Sequence, residues 1–120
     1  GVSSAASDVY KRQFLGQLGN QVSEEDGVAA ARLSGLGILS QVAAATGDRL
    51  DRVARVVRLG VFVASTPDFN RQSAVANGAS DLMVEVFGDA GRHSRSAVGV
   101  ASLPQGVAVE VEAVIALTPA

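Results

Sequence analysis

Residues 53–63 read VARVVRLGVFV. Valines recur through this run, and β-branched residues suit a pleated, partly buried surface. With strand alternation, Val57, Leu59, Val61 and Val63 share one face, and Val56, Arg58, Gly60 and Phe62 share the other. Both faces are largely apolar, which predicts a central strand covered on both sides.

Upstream, Arg49-Leu50-Asp51-Arg52 is a polar link. Before it lies a helix predicted over about 24–46. Ser23 can cap its first turn, and Glu24, Glu25 and Asp26 sit at the positive end of its dipole. Ala29, Leu33, Leu36, Leu39 (or Ser40) and Ala43 recur at helical spacing, and Thr46-Gly47 is a C-terminal stop. Downstream, Ser65-Thr66-Pro67-Asp68 is a strand-to-helix turn, with Thr66 as cap candidate. A second helix is expected over about 68–87, burying Val75, Ala79, Leu82, Met83 and Val86. Gly78 inside it costs about 1 kcal/mol relative to alanine, which points to close packing there.

Two strands complete the pattern, at 94–103 and 107–117, with Leu103-Pro104-Gln105-Gly106 expected as the turn of a hairpin. The order α-β-α-β-β makes this an α+β chain with two helices packed on one face of a small mixed sheet. The sheet's other face is left uncovered, and a second copy of the chain is the simplest cover.

Residues 1–13 (GVSSAASDVYKRQ) are polar, small and without periodicity. They are expected to be loop or disorder, and foreign to the natural protein. The domain is expected over 14–120.

Composition narrows the chemistry. The 120 residues suffice for one domain, and 48% apolar content supports a packed core. With 4% aromatics, the core falls to Val, Leu, Ile and Ala. No cysteine means no disulfide, thiolate metal site or cysteine nucleophile. A net charge of −2 gives no electrostatic footprint for nucleic acid. No apolar run approaches the roughly 18–20 residues of a membrane span, and no signal peptide is visible. A cytoplasmic location is the default expectation.

If residues 103–106 make a four-residue turn, Arg95, Ala97, Gly99 and Ala101 lie beside Glu110 and Glu112 on one sheet face. Ala97 and Gly99 leave that face nearly bare between opposite charges. Arg95 could grip a small carboxylate with two parallel hydrogen bonds, and Glu110 could hold or deprotonate a water. On pattern alone the plainer reading is stronger: a solvated face with an Arg–Glu cross-strand pair worth about 0.2–1 kcal/mol.

The run Arg95-Ser96-Ala97-Val98, then Ala101-Ser102-Leu103-Pro104 and Val109-Glu110-Val111-Glu112-Ala113, resembles the C-terminal signature of the YjgF/RidA reactive-intermediate deaminase family. Gly60-Val61-Phe62-Val63 fits the same pattern. Ser65-Thr66-Pro67-Asp68-Phe69, Asn77-Gly78-Ala79-Ser80-Asp81 and Gly91-Arg92-His93 resemble one branch of it. The resemblance covers about residues 15–117.

It implies a chorismate-mutase-like fold assembled as a homotrimer, with a site in a cleft between subunits and no metal or organic cofactor. It implies hydrolysis of 2-imino or enamine acids to 2-oxo acids and ammonia. Arg95 falls on the family's carboxylate-binding arginine and Glu110 on its water-handling glutamate; Ala97, Gly99 and Glu112 would line the substrate. The pattern departs where a cysteine is common (Ala97) and where a glutamate is common (Gly99). The family's N-terminal strands, with a tyrosine and a Ser-Gly-Gln turn, find no match. A non-catalytic, carboxylate-binding trimer and an inactive fragment are the alternatives.

Other candidates are weaker. His93 is the one histidine and lacks partners for a metal site, so a structural role near the pocket mouth is expected. Arg49, Arg52, Arg55 and Arg58 run with Asp48 and Asp51 as a solvated edge. The family's older endoribonuclease label finds no support in one lysine and few aromatics.

Overall fold

A computed structural model describes residues 14–120; the expectations for residues 1–13 lie outside them. Helix α1 (Glu24–Ala45) leads through a short turn to strand β1 (Val53–Ala64). Helix α2 (Gln72–Phe87), strand β2 (Ser94–Val100) and strand β3 (Val109–Leu117) follow. The predicted order holds, with both helices on a small mixed sheet.

Strand β1 is central, as its apolar faces predict, and the sheet order is β2-β1-β3. The expected hairpin is absent. Strand β2 pairs in parallel with one edge of β1, through the α2 crossover, and β3 pairs antiparallel with the other edge. Residues 101–108 cross the end of β1: Ser65 N–H donates to Val100 O (3.0 Å) and Ala64 N–H to Ala108 O (2.8 Å). Consecutive strands are often neighbours but not always, and an alternating pattern does not choose the partner. The crossing shortens both strands from the predicted 94–103 and 107–117.

Irregular pairing between Val53/Arg55 and between Val56/Arg58 also shifts the alternation. Val56 is fully buried while Val57 is exposed, the reverse of the simple reading. From Leu59 onward the expected face is restored, with Leu59, Val61 and Val63 in the core.

Ser23 Oγ accepts from Asp26 N–H (3.1 Å), the predicted cap of α1. The buried stripe of α1 is Gly27, Ala30, Ala31, Ser34, Gly35, Gly37, Ile38 and Leu39, so Leu36 faces solvent instead. The 22 residues of α1 do meet the length and apolarity of a membrane span, contrary to the sequence reading; here its small residues pack against α2 and its flank meets β3. Helix α2 begins at Gln72, later than predicted. Thr66 O instead accepts from Phe69 N–H (3.1 Å), closing a β-turn with Pro67 at the second position, where proline is favoured. Val75, Ala79, Leu82 and Met83 are buried as expected, and Val86 is exposed.

Gly78 is where the helices touch. A Cβ there would stand 2.1 Å from Val28 O on α1. The predicted close packing is backbone against backbone.

Candidate functional site

Arg95 stands on the edge strand β2, paired with Leu59, so its side chain rises on the helix face. Helix α2 passes over it and supplies three acceptors. Arg95 Nη1 donates to Asn77 Oδ1 (2.7 Å) and Ser80 Oγ (3.1 Å), and Nη2 donates to Ser73 O (3.3 Å). Positions 73, 77 and 80 fall on one side of a helix, which is why one helix can hold the whole group. A guanidinium carries five N–H bonds. Nε–H and one Nη2–H therefore remain without a partner among the described residues, and two donors on one planar group suit a carboxylate.

Ala97 and Gly99 continue the same face, opposite Val61 and Val63. Beyond them opens a cleft of about 580 Å³ of mixed lining, with Gln17, Ser65, Thr66 and Gln72 beside Pro67, Phe69 and Val100. Gln17 Nε2 donates to Ala101 O (2.9 Å), and Gln72 Nε2 donates to Phe69 O (2.9 Å) and Ser65 Oγ (3.4 Å). Ser65 Oγ donates to Val63 O (3.1 Å). A Cβ at residue 99 would come within 2.7 Å of Ser65 Oγ and 2.9 Å of Gln72 Nε2. Glycine stands there because two polar side chains fill the place.

Glu110 and Glu112 are elsewhere. They pair with Phe62 and Gly60 and project from the opposite, helix-free face. The expected surface joining Arg95, Ala97 and Gly99 to Glu110 and Glu112 is therefore overturned for a single chain. Strand β1 separates the two sets, and the sheet lies between their side chains. On the outer face Glu112 Oε1 is 4.0 Å from Arg58 Nη1, while Arg58 Nη2 donates to Ser96 Oγ (2.9 Å). Gly60 lets Glu112 lie across the strand, since a Cβ there would be 2.9 Å from Glu112 Oε1. Half-buried Phe62 joins Val98 and Val114, which are 45% and 57% exposed, on this uncovered face.

Two groups escaped the sequence reading. Gln17 belongs to a segment that packs as structure: Leu18 is fully buried, its N–H donates to Ala64 O (2.8 Å), and Leu15 bridges to Val107. Ser80, one residue of the 77–81 motif, touches both Arg95 and His93: His93 Nε2 lies 2.8 Å from its Oγ, and Nδ1 lies 2.6 Å from Gly91 O. Three arginines of the series 49, 52, 55 and 58 are engaged within the chain. Arg49 pairs with Asp51 (2.9 Å), which raises the pKa of the one and lowers that of the other, chiefly through their hydrogen bond. Arg52 donates to Thr118 O (2.7 Å), and Arg58 serves the outer face.

A family model described as "YjgF/chorismate mutase-like, putative endoribonuclease" matches residues 7–112. Protein TCP17 of Trypanosoma cruzi is 59% identical over 105 residues, which are 87% of this chain and 65% of that protein. The chain thus spans just under two thirds of that relative's length. The crystal structure of Atu1372 from Agrobacterium tumefaciens, of unknown function, superposes with a TM-score of 0.86 at 43% identity, over 88% of this chain and 67% of that one. E. coli TdcF, solved with bound serine, gives a TM-score of 0.52 at 27% identity, over 77% of this chain and 65% of that one.

Proposed function

Since this chain belongs to the YjgF/chorismate mutase-like family, we propose that it hydrolyses reactive 2-imino or enamine acids to 2-oxo acids and ammonia in a cleft between copies of itself. Arg95 of one copy holds the substrate carboxylate. Glu110 of a neighbour holds the attacking water and takes up its proton. Ala97 and Gly99 of the first copy and Glu112 of the neighbour border the substrate.

The observation that carries this reading is the state of Arg95. It is fixed by three acceptors on α2 and keeps two N–H groups for a ligand, beside the small residues Ala97 and Gly99. The position of Glu110 on the far face requires a second copy, whose uncovered Phe62, Val98 and Val114 around its Glu110 give the copy bearing Arg95 an apolar seat.

The chemistry asks little of the protein. Water adds to the carbon of a protonated imine, R–C(=NH2+)–COO−. Proton transfer from that water to nitrogen lets the C–N bond break, leaving the 2-oxo acid and ammonium. The cation is already electrophilic, so positioning and proton transfer suffice. The test is Arg95→Ala with a 2-imino acid generated in situ: release of the 2-oxo acid above the uncatalysed rate is expected to vanish. Wild-type release from the variant would remove the role.

A second reading keeps the clamp and drops the turnover. The serine bound to TdcF favours it, because serine is a small carboxylate with no C=N bond. Calorimetry with 2-oxobutyrate beside the hydrolysis assay separates the two: binding without turnover supports the second.

A further inference from the structure

We infer that Ser80 and His93 are positioning residues for Arg95, so that a tautomer of the chain's one histidine sets the grip on the carboxylate. This rests on the carboxylate reading above.

The acceptor at Gly91 fixes the first direction. Gly91 O can only accept, so His93 Nδ1, 2.6 Å away, carries the ring proton. In the neutral imidazole Nε2 is then an acceptor, and the Ser80 hydroxyl at 2.8 Å donates to it. With that proton committed, Ser80 Oγ turns its lone pairs to Arg95 Nη1, which donates at 3.1 Å. The order is Arg95 to Ser80 to His93 to Gly91. Hydrogen bonds aligned in one direction polarise and strengthen one another.

The anchors do not move independently. Ser80 is on α2. Gly91 is buried, and a Cβ on it would stand 2.1 Å from Met83 O of the same helix. The turn bearing His93 is thus seated on the helix bearing Ser80. Asn77 Oδ1 and Ser73 O take two further N–H groups, and the Ser80–His93 pair fixes the third. Without it the guanidinium could pivot and present the wrong N–H groups.

The experiment uses untagged protein labelled with nitrogen-15 in histidine, so that one imidazole gives one pair of nitrogen signals. The free protein is expected to show the Nδ1–H tautomer. Adding 2-oxobutyrate is expected to shift the Nε2 signal. Ser80→Ala, favoured in a helix, is expected to abolish that shift and to weaken 2-oxobutyrate binding about tenfold. Ser80→Thr, which keeps the hydroxyl, is expected to restore both. His93→Gln, which keeps an acceptor, is expected to bind more tightly than His93→Phe. If Arg95→Ala abolishes binding while Ser80→Ala and His93→Phe stay within twofold of wild type, the positioning role is overturned and the carboxylate reading stands. If Arg95→Ala itself binds 2-oxobutyrate normally, both are overturned.

Discussion

Arg95 and Glu110 lie on opposite faces of one sheet, the first beside Leu59 under the helices and the second beside Phe62 on the open side. No rotamer change brings them together within a chain. Any reaction that uses both must draw them from different copies.

This arrangement predicts rescue by mixing. Arg95→Ala and Glu110→Gln are each expected to be inactive alone. Unfolded, combined in equal amounts and refolded, they should form some clefts with both native residues. For random assembly that is about a quarter of the sites, and about a quarter of wild-type turnover per site is expected. A mixture as inactive as its components would rule out a shared site.

Gly78→Ala tests the helix contact. By helix propensity alone, alanine gains about 1 kcal/mol over glycine. Here its Cβ would meet Val28 O at 2.1 Å, a backbone atom that cannot step aside unless α1 moves. Overpacking of this kind costs about 1–3 kcal/mol, and more where backbone must shift. A lower urea midpoint is therefore expected. A raised one would mean that the helices are not in contact at this point.

Acid stability carries the mark of Glu24. Arg71, at the start of α2, forms an ion pair with Glu24 in the first turn of α1. The hydrogen bond from Arg71, aided by its charge, lowers the Glu24 pKa from 4.5. A lowered carboxylate pKa contributes stability above its ordinary value, and that contribution disappears as pH falls through the folded value. Arg71→Ala should return Glu24 to the ordinary carboxylate range in an NMR titration and slightly reduce stability at pH 7. Because both groups are exposed, about 1 M salt should erase the stability difference. An unchanged Glu24 titration in Arg71→Ala would refute the pairing.

Much of the fold was legible because it rests on local chemistry. Ser23 as a cap, the apolar run at 53–63 and the glycine at 78 each carry a signal within a few residues. What was lost depends on partners distant in sequence. The alternation at 94–100 and 109–117 says that both segments are strands, but not that β1 stands between them. That omission placed Arg95 beside Glu110. A similar limit hid Val56, whose burial follows from irregular pairing with β3. Ser80 was missed because a serine inside a helix has no distinguishing spacing; only its contacts reveal it. Gln17 does carry a local signal. Leu15-Gly16-Gln17 keeps two of the three residues of the Ser-Gly-Gln turn that the resemblance implies.

The position of β1 also governs how the chain can be made. A ribosome releases residues 53–64 before either of their neighbours exists: β2 begins thirty residues after β1 ends, and β3 forty-five. Until β2 arrives, the nascent polypeptide holds a ribbon rich in valine with both hydrogen-bonding margins vacant, and until β3 arrives one margin is still open, the kind of surface on which chains stick to one another. Arg52, Arg55 and Arg58 sit at and within its leading half. Their mutual repulsion is a guard against such encounters while synthesis runs on.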